Sequence, residues 1–131
     1  MDGESFILDV HHNRIEDVRL YIIREGNINY QICRTNYALE YYEGETALII
    51  AAKNNNIEIV KLLLESNCNI DLQSINGWTA LTFSSYKNYV EIVTLLLEYG
   101  SNPNIQNRYG DNSLMYAIRN DNIEMVRLQC M

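Results

Sequence analysis

Two adjacent histidines, His11 and His12, and three cysteines, Cys33, Cys68 and Cys130, are the residues of this 131-residue chain whose types suit metal binding or nucleophilic chemistry. A zinc site needs about four ligands in short paired spacings, and His11, His12 and Cys33 match no such pattern and lack a fourth member. Adjacent helical residues point to different sides, so the His pair reads as solvated helix surface. Nucleophilic catalysis would need a Ser or Cys beside a base in a framework that holds them. The sequence contains no G-x-S-x-G, no Gly-x4-Gly-Lys and no H-E-x-x-H. No catalytic residue, cofactor site or metal site is assigned, and an enzyme is not expected. An odd number of cysteines without close spacing is not a disulfide framework. Free thiols in a reducing, intracellular compartment are expected, in agreement with the lack of any N-x-Ser/Thr sequon.

Recognition by contact is the chemistry that remains. The chain has one Trp and ten Tyr, side-chain types enriched with Arg at binding hot spots. Seventeen acids against ten bases give a net charge of -7 and a pI near 4.7. That balance disfavours nucleic acid and anionic membranes, both of which attract cationic proteins. No stretch approaches the roughly 18 apolar residues of a membrane span, and no signal peptide is read at the N-terminus. With 47% apolar and 21% charged residues the composition is that of a folded protein.

The elements that must position these side chains follow from a repeat. Gly44, Gly77 and Gly110 lie 33 residues apart, and each begins a related segment. The segments GETALIIAAKNNNIEIVKLLLESNCNID and GWTALTFSSYKNYVEIVTLLLEYGSNPN share 13 of 28 positions. GDNSLMYAIRNDNIEMVRLQCM keeps the pattern more loosely. In each unit a short helix carries Leu48, Ala51 and Ala52, whose small size admits a neighbouring helix. A second helix presents Ile57, Val60, Leu63 and Leu64 on one face. Asn55, Asn88 and Asp121 stand between the helices, where a tight turn requires a left-handed residue. Thr46, Thr79 and Asn112 precede the first helices and are suited to cap them.

The order Gly-x-Thr-Ala-Leu, Ala-Ala, Ile-Glu-Ile-Val-Lys-Leu-Leu-Leu-Glu and Asn-Ile-Asp resembles the ankyrin repeat, as does the 33-residue period. The resemblance covers about residues 41 to 131. The chain departs from it at the family's Thr-Pro-Leu-His tetrad, which here reads Thr46-Ala-Leu-Ile49, Thr79-Ala-Leu-Thr82 and Asn112-Ser-Leu-Met115. A weaker helix start and modest stability are therefore expected. Aligning residues 14–22 with 56–64 recovers a degenerate first repeat, with Phe6 at the Leu48 position, Asn13 at Asn55, Val18 at Val60 and Ile28 at Ile70. It carries nine extra residues between Asn29 and Gly44. The expected fold is an all-α solenoid of paired antiparallel helices joined by hairpin-like loops. It forms one domain of four repeats (about 3–29, 41–73, 74–106 and 107–131), with a Tyr-rich insert at about 30–40.

The resemblance implies a stack that binds a protein partner on its concave face, through the hairpin tips and the inner helices. On matching positions this gives Tyr42, Glu43, Glu45, Lys53 and Asn54, then Ile75, Asn76, Trp78, Tyr86 and Lys87, then Arg108, Tyr109, Asp111, Arg119 and Asn120, with His11 and His12 in the first repeat. The expected contact set is Tyr42, Glu45, Lys53, Ile75, Trp78, Tyr86, Lys87, Arg108, Tyr109 and Arg119, centred on the aromatic residues. The opposing reading has Trp78 lying flat on a neighbouring repeat as packing. Lys53, Lys87, Arg108 and Arg119 would suit a partner patch with some acidic character. The expected role is a non-catalytic scaffold or adaptor. A stand-alone inhibitor that covers a partner enzyme, such as a kinase, is the alternative. A monomer is expected. At the chain's end, Gln129 and Arg127 suggest the polar outer face of a capping repeat, against the rival view of a stack cut short. Cys68 is expected half-buried, Cys130 packed at the end of the stack, and Asn104 as a turn-stabilising side chain.

Overall fold

A computed structural model describes residues 3–32 and 44–130. Cys33, Tyr42, Glu43 and most of the expected Tyr-rich insert lie outside the described residues.

Among the described residues, eight helices form four antiparallel pairs: α1 (Gly3–His11) with α2 (Ile15–Ile23), α3 (Ala47–Lys53) with α4 (Ile57–Glu65), α5 (Ala80–Tyr86) with α6 (Val90–Glu98), and α7 (Ser113–Arg119) with α8 (Ile123–Cys130). The odd-numbered helices stack on one another in chain order to make an inner layer, and α2, α4, α6 and α8 make an outer one. The described residues include no strand. Local chemistry fixes each pair. The Thr46 and Asn112 side chains accept from the backbone N–H groups of Ile49 and Met115. At the third pair Thr79 accepts from the Thr82 N–H, while the Thr82 hydroxyl accepts from the Thr79 N–H at 2.7 Å. Thr82 thus closes a reciprocal cap at the tetrad position where a weakened start was expected. Between the helices Asn13, Asn55, Asn88 and Asp121 all have φ between 53° and 63°, the left-handed turn the sequence calls for.

The core is a continuous strip shared between neighbouring pairs. Leu48, Ala51, Ala52, Val60, Leu63 and Leu64 are buried as their spacing predicts. Ile57 is only partly buried and Ile59 takes its place in the core, because the packed face of α4 is centred one residue pair further on. The first pair obeys the same register: Phe6 and Val18 are fully buried, and Phe6 stacks on Tyr21 with ring centroids 4.1 Å apart. The register continues past Asn29. Ile32 is buried and exchanges hydrogen bonds with Gly44 and Glu45. Gln31 donates to the Gly44 and Gln73 carbonyls as Gln73 donates to those of Gly77 and Gln106. Tyr30, Gln31 and Ile32 therefore belong to the first unit, and the extra residues fall within 33–43.

Side chains also bind one tip to the next. Asn29 accepts from the Asn69 N–H, and Asp71 accepts from the Asn102 N–H. The turn at Asn104 is held by the side chain of Asn102, which accepts from the Asn104 N–H, rather than by that of Asn104. Two end-of-stack expectations are corrected. Gln129 is not on a polar outer face: its side chain is buried and donates to the Ser85 hydroxyl of the preceding pair. Cys130 is exposed instead of packed, since no described helix lies beyond α8 to cover it. The face α7 and α8 leave open carries Ile118 and Ile123, both well exposed. Cys68 is half-buried, as expected, and burial raises its thiol pKa to about 11.

Candidate partner-binding face

The residue after each repeat glycine and the last residue of the following inner helix are brought side by side, one pair per unit. In the second unit these are Glu45 and Lys53, with Nζ and Oε1 2.7 Å apart. In the fourth they are Asp111 and Arg119, joined by two parallel hydrogen bonds of 2.9 and 3.0 Å. In the third, both are aromatic: Trp78 and Tyr86 meet edge to face at 5.6 Å. The concave face therefore runs ion pair, aromatic pair, ion pair along the stack.

A second column lies deeper. Ile50, Phe83 and Tyr116 occupy equivalent positions in α3, α5 and α7. Trp78 stacks on Phe83 at 4.6 Å and on Tyr116 of the next unit at 5.2 Å, and Tyr86 meets Tyr116 edge to face at 5.5 Å. The Lys53 ammonium sits 4.7 Å from the Phe83 ring centre, and the Arg119 guanidinium 5.4 Å from that of Tyr116. Four rings thus share one cluster flanked by two cations, each already paired with an acid of its own unit.

This cluster floors a groove of about 360 Å³ that also takes in Glu45, Lys53, Ser74, Ile75, Asn76 and Tyr109. Ile75 and Tyr109 reach it from the tips, each 61% exposed, and Tyr86 is 53% exposed. Of the ten contact residues expected, Glu45, Lys53, Ile75, Trp78, Tyr86 and Tyr109 line this one groove. Arg119 stands at its edge over Tyr116. Arg108 lies over the Tyr109 ring at 5.2 Å and donates to Asn76 at 2.9 Å, which steadies the tip. Lys87 is exposed, 6.0 Å from the Tyr86 ring centre. Trp78 stacks on the next unit, as the packing reading has it, and also lines the groove. Phe83 and Tyr116 were missed; comparing Ile50, Phe83 and Tyr116 down one repeat column would have found them.

One expectation about charge needs correction. Glu45 is not a surface residue but 4% exposed. Lys53 and Arg119 stand on the face already paired with Glu45 and Asp111. The paired acids differ in protonation energetics. Burial raises the Glu45 pKa above 4.5 despite the hydrogen bond and charge of Lys53. The Arg119 hydrogen bonds lower that of Asp111 below 3.8. The Tyr116 hydroxyl donates to Asp111 at 3.1 Å and accepts from Asn107 at 2.9 Å, and desolvation raises its pKa above 10.0. Glu45 Oε2 is buried with no hydrogen-bond partner among the described residues. Near the first unit, the His11 ring lies 3.5 Å from the Asn54 amide. Among the described residues no three His, Cys, Asp or Glu side chains converge as a metal site would need.

A family model described as ankyrin repeats (3 copies) matches residues 7–107 and 76–130, nearly the whole chain. The chain is an ankyrin-repeat protein. No curated protein matches it. Ankyrin repeats are in general protein–protein interaction modules, and the family is typically non-catalytic. No described helix is long and apolar enough to cross a membrane.

Proposed function

We propose that this ankyrin-repeat chain is a non-catalytic binding module that captures a protein partner in the groove between the second and fourth repeats. The observation that carries this reading is the aromatic cluster of Trp78, Phe83 and Tyr86, open to the concave side above the buried Tyr116 and overhung by the exposed Ile75 and Tyr109. Four units can stack without any of these rings, since the second unit has Glu45, Ile50 and Lys53 in the same columns. Large rings half-open to solvent are what a hot spot needs: broad apolar area with little rotamer entropy to lose. The repeat core behind them is rigid, so the partner docks on a surface formed in advance. The setting proposed is an intracellular, reducing one, supported by three cysteines without framework spacing.

The test is affinity capture with the chain as bait against a Tyr86→Ala/Tyr109→Ala variant. Both side chains are more than half exposed, so the variant keeps its fold, with a loss of about 1–2 kcal/mol from the Tyr86 ring contacts with Trp78 and Tyr116. It is expected to lose the wild-type partners, each ring accounting for about 1–3 kcal/mol of binding. Equal capture by both proteins sinks the reading. With a partner in hand, a direct assay of its activity separates a scaffold, which leaves activity unchanged, from an inhibitor, which lowers it.

A further inference from the structure

We propose that the Glu45 end of the groove is an anchor site for an arginine side chain of the partner, which would pair with the Glu45 carboxylate and stack on the neighbouring rings. The inference rests on the binding reading above and adds the chemistry of the residue that enters.

Glu45 shares a repeat column with Asp111. In the fourth unit both carboxylate oxygens of Asp111 are satisfied by the fork of Arg119, and the guanidinium also lies against the Tyr116 ring. In the second unit the partner is a lysine, a point donor that occupies Oε1 only. Oε2 is left buried and, among the described residues, unpartnered in a carboxylate that lines the groove. The chain therefore contains one complete carboxylate–guanidinium–ring set and one that lacks its guanidinium. Buried acceptors without partners are rare in folded proteins, and those that occur at a surface groove are where a ligand donor fits.

Other occupants match less well. An acidic side chain would compete with Glu45 for Lys53 and add a second negative charge beside a buried one. A purely apolar side chain would cover the rings but leave Oε2 unpaired. An ammonium supplies donors but no plane. A guanidinium offers five donors in a flat fork, and its face matches the ring faces of Tyr86 and Tyr109. To meet it, the Glu45 side chain turns toward the opening while Lys53 keeps Oε1, its own charge shared with the Phe83 ring. The chain's net charge of -7 draws a basic segment in from a distance.

Trp78 is the only Trp in the chain and lies in this groove, so its emission reads occupancy directly. The probes are three blocked tripeptides, Gly-Arg-Gly, Gly-Lys-Gly and Gly-Glu-Gly, titrated at constant ionic strength. A single anchor should give a saturable change with a dissociation constant on the order of millimolar for the arginine peptide. The lysine peptide should bind several-fold more weakly and the glutamate peptide not at all. Glu45→Gln should weaken arginine binding about tenfold, and Tyr86→Ala, at an exposed position that folding does not need, should weaken it several-fold. The proposal is overturned if the arginine peptide gives no saturable change up to about 50 mM. It is equally overturned if the glutamate peptide binds as well, or if both variants bind arginine at wild-type strength. Flat titrations alongside capture that depends on Tyr86 and Tyr109 would remove the arginine anchor and leave the binding face standing. Arginine binding without such capture would do the reverse.

Discussion

At position 45 a carboxyl group is buried beside an ammonium, and at position 111, in the same repeat column, a carboxyl group is held by a guanidinium nearer to water. Burial wins at the first, and paired hydrogen bonds win at the second. NMR titration of the side-chain carboxyl carbons should therefore give a midpoint above 4.5 for Glu45 and below 3.8 for Asp111. The stability consequences have opposite signs. The folded Glu45 holds its proton more tightly than the unfolded one, so its contribution is present below 4.5 and is lost as pH rises through the higher folded value. The contribution of Asp111 is present above 3.8 and is lost as pH falls through the lowered folded value. The sequence showed both acids and both bases but not their pairing, since each acid stands eight residues before its base. Only the joint change across units, from Glu45 and Lys53 to Trp78 and Tyr86 to Asp111 and Arg119, marks the two positions as neighbours. The orphaned oxygen of Glu45 had no sequence signal at all.

The helix pairs were legible because their signals are local. Thr46, Thr79 and Asn112 cap the inner helices as their types predict, and Asn13, with φ of 57°, confirms the register of a first repeat that shares few identities with the others. Thr79→Ala removes the Thr79 hydroxyl's half of the reciprocal cap, its bond from the Thr82 N–H and its contact with the Thr82 hydroxyl, and should destabilise the chain by about 1–2 kcal/mol in urea unfolding. Thr46→Ala, which breaks a single 3.3 Å bond, should cost about half as much. The repeat glycines differ in context although all have positive φ. A Cβ at Gly77 would stand 2.9 Å from the Asn107 Cα, whereas one at Gly110 would meet nothing within 4 Å. Gly110→Ala should then cost about 1 kcal/mol from backbone strain alone, and Gly77→Ala clearly more, because the tip of the fourth unit has to move. Equal losses in the two variants would show that tip-to-tip contact contributes nothing. The limits of local reading appear at Ile57 and Ile59, where period alone could not say which of two isoleucines faces the next helix.

Across the whole molecule, the same position means different things in the middle of the stack and at its end. Ala52 is fully buried between units, while Ile118 in the equivalent place on α7 is 59% exposed. Ala52→Ile should overpack the interface by about 1–3 kcal/mol, and Ile118→Ser should change the melting free energy by no more than about 0.5 kcal/mol. The polar type of Gln129 suggested a cap, but the residue keeps the buried column of Leu63 and Leu96 and its amide turns inward to Ser85. The total charge was legible at once, yet its placement on the face was not, because two of the four basic residues expected there are already bound to acids.

The central claim is that recognition belongs to one face, built by α3, α5, α7 and the tips they support. Amide hydrogen exchange of the chain, alone and in complex with a captured partner, tests it most directly. Added protection should fall on the tips at 74–79 and 107–112 and on the C-terminal turns of α3, α5 and α7, with α4, α6 and α8 unchanged. Protection concentrated on the outer helices, with the Trp78 segment exchanging as it does in the free chain, would contradict the account.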